Sequence, residues 1–269
     1  MKSKTEMQNT ELPEHLRDYT GQTGTEDIRS DDVATPRLQL LQALSPELED
    51  DDSLKAGEFY HSGAELGLGN EITVIPLAIN KSYTLWRPRP EGGILARSRD
   101  GVNWDRTGVW NDIKLKGKNA PVTWRIDHLN VAKSGLTEWG SSDPENRDSQ
   151  PAATMAYNMA VLLPDNLELG PAVISMQRSQ IRVAKKLLGR LKLQRVPLFG
   201  LMIPLCSVKE QGAEGPFFQV KFGKFDVVRD PNLFAQARQL FELFQHKGVT
   251  VEETDQSDHA PGIDDEIPF

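Results

Sequence analysis

Short apolar runs separated by frequent glycines occupy the middle of the chain and predict a mainly β fold. Two β-rich runs lie at 71–79 (EITVIPLAI) and 82–86 (SYTLW). The two residues between them, Asn80 and Lys81, predict a hairpin turn. Pro76 interrupts the first run. Because proline has no amide hydrogen for a ladder, it indicates an edge strand or a β-bulge.

Further strands are predicted on both sides of this pair. They fall at 57–62, at 94–98, within 104–125, at 155–163, at 172–176, and in a second hairpin of 199–208 and 217–222 around Gly212 to Gly215. The stretch 36–44 fits either a strand or two helical turns, and the pattern leaves both open. The connections include an acidic loop at 47–52, a turn at 63–70 and a long polar loop at 141–150.

Two helices are predicted within this β background. The first runs from about Ser179 to Leu193 with an apolar stripe at helical spacing. The second begins where Asp230 caps and Pro231 occupies the first turn, and it ends near Gly248. Strands and helices do not alternate as in a parallel sheet, and no internal repeat is visible. We therefore expect a mainly β (α+β) body.

Composition divides the chain into three parts. Residues 1–34 are polar and predict a flexible acidic arm, with one short helix near Glu14 to Tyr19. Residues 35–247 hold the apolar runs and predict the folded body. Residues 248–269 contain 7 acidic and no basic residues, which predicts a disordered acidic tail.

Overall charge and composition narrow the class of protein. The chain has 269 residues, is 38% hydrophobic and carries a net charge of −8. It lacks an apolar run of membrane-spanning length and a signal peptide, so we expect a soluble protein in the cytoplasm of a bacterial host cell. Its lone Cys206 cannot form an internal disulfide.

The charge is unevenly distributed along the chain, so the net charge of −8 does not by itself exclude binding of a polyanion. Residues 1–55 carry 6 basic and 13 acidic side chains, whereas residues 56–247 carry 25 basic and 19 acidic ones. A mildly basic body between two acidic arms is the layout expected of a protein whose body binds a polyanion.

One segment combines cations with aromatic rings, as binding of single-stranded nucleic acid requires. Its cations are Lys81, Arg87, Arg89, Arg97, Arg99, Arg106, Lys114, Lys116, Lys118 and Arg125. Its rings are Tyr83, Trp86, Trp104, Trp110 and Trp124, which include four of the five tryptophans. Core packing of Trp86 and Trp124, with the cations on an ordinary solvated face, is the alternative interpretation.

A second basic cluster falls on the first predicted helix. It consists of Arg178, Arg182, Lys185, Lys186, Arg190, Lys192 and Arg195, with no acidic residue between 178 and 195. A solvated helix face normally mixes signs, so this one favours a phosphate contact. An anionic membrane surface would also accept such a helix, although the aromatics usual at that interface are lacking.

Catalytic and metal-binding patterns are absent from the sequence. The five histidines are scattered, no Walker-type loop occurs, and Gly67-Leu68-Gly69 lacks the third glycine of a dinucleotide fingerprint. We therefore predict that the protein is not an enzyme, with no catalytic residues, no metal and no cofactor.

The last six residues form a compact recognition peptide, Asp264-Asp265-Glu266-Ile267-Pro268-Phe269. An aromatic ring beside a free carboxylate supplies both an apolar plug and an anchor for a cation, and Pro268 restricts the backbone before binding. This tip resembles that of bacterial single-stranded-DNA-binding proteins. The resemblance implies that it binds replication and repair proteins such as a polymerase, primase, helicase or nuclease.

The body is similar to a group of bacteriophage single-stranded-DNA-binding proteins, on the runs 37–47, 57–62 and 83–86. The resemblance implies an OB-fold-like barrel with inserted loops and a role in phage DNA replication, recombination and repair. A recombination mediator or interaction protein that competes for the pockets of tip-binding proteins is one alternative, and a single-stranded RNA-binding protein is another. The oligomeric state stays open, with a homodimer as one option.

Overall fold

The computed structural model describes residues 35–88, 92–212, 215–247 and Val249. The predicted N-terminal arm, its short helix and nearly all of the acidic tail lie outside these residues. Within them, the mainly β (α+β) class that the sequence predicts is confirmed.

The elements follow one another from residue 38 to residue 247. The strands are β1 (Leu38–Leu40), β2 (Phe59–His61), β3 (Leu66–Gly67), β4 (Glu71–Trp86), β5 (Ile94–Ser98), β6 (Gly108–Ile113), β7 (Val122–Ile126), β8 (Ala153–Leu162), β9 (Pro171–Gln177), β10 (Leu201–Gly212), β11 (Gly215–Phe222) and β12 (Asp226–Val227). The α-helices are α1 (Glu47–Asp50), α2 (Val131–Ser134), α3 (Gln180–Lys192) and α4 (Pro231–Lys247). Two 3-10 turns lie at Leu167–Leu169 and Leu198–Gly200.

Seven strands form the main sheet, and all of their pairings are antiparallel. The order is β11, β10, β4, β8, β9, with β12 pairing to β10 and β5 pairing to β4. Separately, β1 to β3 make a small sheet, and β6 with β7 makes a hairpin. The described strands follow an open path, so their pairings do not close into a barrel.

The predicted hairpin at Asn80 and Lys81 is wrong, because β4 continues through both residues as one strand of 16 residues. Asn80 pairs with Asn158 of β8, and Lys81 pairs with Tyr157. A long partner strand thus supplies ladder contacts across the polar dipeptide, and these contacts override its local turn preference.

Pro76 lies at a β-bulge, which is one of the two alternatives predicted for it; the other was an edge strand. The register between β4 and β8 shifts between Pro76 and Ala78. The strand itself is central, since it pairs with β8 on one edge and with β10 and β5 on the other. The irregularity accommodates a residue without an amide hydrogen inside the sheet.

The remaining connections also depart from simple loops. The stretch 36–44 contains the three-residue strand β1, which decides between strand and helix. The acidic loop at 47–52 contains the single helical turn α1, and the turn at 63–70 contains β3. The second predicted hairpin is confirmed as β10 and β11, with Gly212 opposite Gly215.

Alternating side chains of the main sheet build a core on each face. Met159 and Val161 of β8 pack with Ala184 and Leu187 of α3 on one face. Ala160 and Leu162 pack with Ala237 and Phe244 of α4 on the other. Successive side chains of a strand point to opposite faces, so a fully apolar run in β8 requires cover on both sides. The two long helices provide it.

A third core lies beside the main sheet, at the end of β4. Leu85 packs there with residues of β5, β6 and β7 and with Ala153 at the start of β8. Trp104 and Trp124 are among its members, at 2% and 3% exposure. The long strand β4 therefore takes part in all three cores.

The packing of α3 gives a stability prediction. Leu187 is 1% exposed beneath this helix, whereas Leu193 at the helix end is 81% exposed. We expect Leu187→Ala to lower the free energy of unfolding by about 2–5 kcal/mol, because it leaves a cavity in the core. Urea unfolding measures the change. The matched substitution Leu193→Ala should stay within about 0.5 kcal/mol of the parent protein, and equal losses in both variants would contradict this packing.

Candidate nucleic-acid interface

A cleft of about 480 Å³ lies where β4 ends. Its walls come from the end of β4, the loop that precedes β8, the start of β8 and the first turns of α3. Strand register explains why these distant segments meet. Tyr83 pairs with Met155, and the next residue of β8, Ala156, pairs with Gln177 of β9. The first basic and aromatic segment therefore lies two strands away from the start of the second basic cluster.

Four cationic side chains line the cleft. They are Arg87, Arg178, Arg182 and Lys185. Neither Asp nor Glu is found among the residues that line it in the described part of the chain. Like charges gathered in a concave site without acidic neighbours create a positive potential that attracts a polyanion. The two predicted basic clusters thus contribute to one surface.

Arg87 is held at the cleft by an ion pair with Asp112. Its Nη1 lies 2.8 Å from Oδ2 of Asp112, and the two side chains are 20% and 58% exposed. The hydrogen bond from Arg87 holds the pKa of Asp112 below its usual value. The pair fixes the guanidinium at the cleft wall but neutralises part of its charge, so the cations contributed by α3 dominate the potential.

Arg178 forms the turn from β9 into α3 in an unusual backbone conformation. Its φ is +50°, in the left-handed region that is uncommon outside glycine, asparagine and aspartate. The amide of Ile181 donates to the Arg178 carbonyl at 2.9 Å, which joins this turn to the helix. Such strained residues cluster at functional sites. Here the turn starts α3 at the cleft wall.

Four aromatic rings also line the cleft, namely Tyr83, Trp86, Trp124 and Trp139. Their availability differs. Trp124 is 3% exposed, whereas Trp139 is 57% exposed. Tyr83 and Trp86 are half-buried, and the Tyr83 ring centroid lies 6.4 Å from that of Trp104. Trp139 therefore offers the largest ring surface to a stacking partner.

Trp139 was absent from the residues singled out by sequence. It lies 15 residues beyond Trp124, in a polar stretch without neighbouring cations. A signal was nevertheless present, because a tryptophan within a polar loop has no apolar period to explain its burial. Its place at the cleft depends on how the loop folds back, which no local pattern encodes.

Three contacts hold the loop that carries Trp139. The Trp124 indole Nε1 donates to the Ser142 carbonyl at 3.0 Å. Lys118 Nζ lies 2.5 Å from Oδ1 of Asp143 and 2.8 Å from Oε2 of Glu145. The hydrogen bond that Lys118 donates to Asp143 lowers the pKa of Asp143, and the hydrogen bonds that Lys118 donates to both carboxylates raise the pKa of Lys118. Lys118 and Trp124 thus position the loop.

Most other members of the first segment lie away from the cleft. The residues of this segment that do not line the cleft include the cations Lys81, Arg97, Arg99, Arg106, Lys114, Lys116 and Arg125 and the rings Trp104 and Trp110. Arg89 lies outside the described residues. Trp104 belongs to the third core and Trp110 packs partly against it. Burial leaves the Trp104 ring without a free face for a base, although the core-packing alternative named Trp86 and Trp124 rather than Trp104.

The members of the second cluster divide into two roles. Arg190 Nη2 donates to the Gly223 carbonyl at 2.7 Å, and its guanidinium lies 4.1 Å from the Phe225 ring centroid. It therefore anchors α3 to the body. Lys186, Lys192 and Arg195 are exposed, and none of them lines the cleft.

The C-terminal tip, metal binding and membrane insertion are the remaining points of the sequence analysis. The six-residue tip, Asp264 to Phe269, falls outside the described residues. Among those described, no three or more His, Cys, Asp or Glu side chains come together as metal ligands would. No helix in the same residues has the length and apolar character needed to cross a membrane.

Comparison with known proteins gives one family. Residues 4–250 match the family described as Pam3 phage gp34-like protein. The match spans both basic clusters, the cleft and the whole described body. Neither a curated protein nor a solved structure matches the chain.

The ion pair below the Trp139 loop gives a pH prediction. We expect Asp143→Asn to lower the free energy of unfolding at neutral pH, because Lys118 loses a carboxylate partner. The folded pKa of Asp143 is depressed. The stability it contributes is therefore present above the unfolded pKa of about 3.9 and is lost as pH falls through the lower folded value.

Urea unfolding between neutral and strongly acidic pH measures this difference. The gap between the parent protein and Asp143→Asn should be constant above pH of about 5, narrow as pH falls below about 4, and close only below the depressed folded pKa of Asp143. Asp148→Asn, an exposed substitution in the same loop, is the control and should show no gap. A gap for Asp143→Asn that persists at the acidic end would contradict the account.

Proposed function

The chain belongs to the Pam3 phage gp34-like protein family, a family of bacteriophage proteins, and we propose that it binds single-stranded DNA in the cleft at the end of β4. The observation that supports this function best is the meeting of four cations and four aromatic rings on one concave surface. Neither basic cluster forms such a surface alone.

The cations account for the phosphate contacts of this proposal. Arg182 and Lys185 are exposed on α3, and that helix carries no acidic residue. Each phosphate neutralised by such a side chain releases condensed counterions, so affinity falls as salt rises, with a slope of about 0.7 per contact for a single strand. Arginine adds a planar group that can also stack on bases.

The rings account for a preference for single strands. Bases in a duplex are stacked on one another and shield their faces, whereas an unpaired base offers its face to an aromatic side chain. Trp139 is the most exposed ring of the cleft, and the half-buried Trp86 is another of the lining residues. Stacking is tolerant of sequence, so the proposal is binding without sequence choice.

The acidic tip adds a second activity to the proposal, namely recruitment of replication and repair proteins. Phe269 would enter an apolar pocket, and Asp264, Asp265 and Glu266 would meet basic side chains at its rim. Coating of DNA by the body and recruitment by the tip would together serve phage DNA replication, recombination and repair in the host cell.

Substitutions in the cleft test the binding site. We expect Trp139→Ala to weaken binding of oligothymidine by about 1–3 kcal/mol, because a stacking platform is lost. Trp139→Phe should retain most of the affinity. Fluorescence anisotropy of a labelled oligonucleotide measures both. The matched control is Val109→Ala, at an exposed apolar residue away from the cleft.

The same titration separates the competing polymers. Single-stranded DNA should bind more tightly than duplex of the same sequence, and rising salt should weaken it. Equal affinity of the parent protein and Trp139→Ala would remove the cleft from the proposal. Tighter binding of single-stranded RNA than of DNA would reassign the substrate.

Removal of the tip tests the recruitment activity. A chain ending at Ile263 should keep its affinity for oligothymidine at moderate salt. It should fail to displace a labelled tip peptide of the host single-stranded-DNA-binding protein from a host repair enzyme that binds that peptide. Phe269→Ala should fail likewise, because the apolar plug is lost. Displacement by the truncated chain equal to that by the full chain would contradict this role.

A further inference from the structure

Packing within the described residues does not explain why a glycine lies in the middle of α3. A Cβ added at Gly189 would meet no neighbouring atom within 4 Å, and its φ is not in the left-handed region. An exposed glycine within a helix costs about 1 kcal/mol relative to alanine. The sequence therefore accepts a weaker helix at a position where a side chain would fit.

Gly189 lies at the centre of the exposed face of α3. Arg182, Lys185, Lys186 and Lys192 are exposed around it, while Ala184 and Leu187 are buried on the opposite side. With 100° of rotation per residue, Lys185 and Lys192 fall on the same side of the helix. They are about 10 Å apart along its axis, from the rise of 1.5 Å per residue.

This face continues the cleft. Arg182 and Lys185 of α3 line the cleft, and Gly189 and Lys192 follow along the same helix. Arg190 fixes the helix to the body through the Phe222 and Gly223 carbonyls. The cationic face is therefore held outward, and it leads away from the cleft.

The size of the cleft indicates that a longer strand must leave it. A volume of about 480 Å³ lies in the range of sites that hold one small ligand. Single-strand sites of proteins that coat DNA extend over about 4–16 nucleotides. Only a short part of such a strand fits within the cleft walls, so the rest must cross the surface.

We propose that single-stranded DNA leaves the cleft along the exposed face of α3, passes over Gly189 with its backbone close to the helix, and contacts Lys192. This inference rests on the proposed function of the cleft. The missing side chain at Gly189 provides the clearance, and the cations on both sides of it attract the phosphates. Leu193, which follows Lys192 and is exposed at the helix end, offers an apolar contact there.

Strand length separates the cleft from this exit path. Fluorescence anisotropy is measured with oligothymidines of about 4 and about 16 nucleotides, the limits of known single-strand site sizes. Gly189→Gln should leave the short strand unaffected and weaken the long strand by about five-fold, because an added side chain blocks close approach. Its Tm should equal or exceed that of the parent protein, since glutamine favours a helix more than glycine does.

Lys192→Gln provides a second variant that does not depend on the glycine. It should weaken only the long strand and lower the salt slope of that strand by about 0.7, as loss of one phosphate contact predicts. The controls are Ala235→Gln, on the exposed surface of α4, and Lys133→Gln on α2, both exposed and distant from α3 in the sequence. Neither should change the affinity for either strand.

Each outcome bears on one of the two proposals. If the parent protein binds both strands and neither α3 variant weakens the long one selectively, the exit path is wrong and the cleft remains. If the parent protein binds neither strand, the proposed function fails, and the path fails with it. Binding of anionic lipid vesicles that depends on Lys192, without a selective effect on the long strand, would reassign this face to a membrane.

Discussion

The length of β4 is the constraint on which the arrangement depends. Its 16 residues pair with β8 along one edge and with β10 and then β5 along the other. An unbroken strand of this length joins the main sheet, through Leu85, to the core that contains the β6 and β7 hairpin. Its buried side chains belong to all three cores, and its last residues place Tyr83 and Trp86 at the cleft. A hairpin at Asn80 would have separated these regions.

The cationic side chains of this body have two roles: some hold the structure together, and others remain exposed on the surface. Lys118 and Arg190 satisfy acceptors and position the Trp139 loop and α3, at the cost of their availability to phosphate. Arg182, Lys185 and Lys192 remain exposed. The same division applies to the rings, because Trp104 and Trp124 form core while Trp139 is open to solvent. The exposed members of the cleft thus depend on buried members that hold them in place.

Sequence patterns predicted the elements well where local preference and burial agree. Examples are the helices α3 and α4 and the hairpin of β10 and β11. At the start of α4, the Asn232 amide donates a hydrogen bond to the Asp230 carboxylate at 2.8 Å, as the predicted cap requires. The patterns failed where pairing overrides local preference, as at Asn80. Both basic clusters were visible in the sequence, but their meeting required the register of β4, β8 and β9. Trp139 was missed for the same reason, since a folded loop rather than a period places it.

Ultraviolet cross-linking of the full chain to oligothymidine, followed by mass-spectrometric mapping of the adducts, tests most directly whether the cleft holds the strand. The account predicts adducts at Trp139 and at the start of α3, reduced by unlabelled single strands and little affected by duplex. Adducts confined to the β6 and β7 hairpin around Trp110, or an equal loss of adducts with duplex, would contradict it.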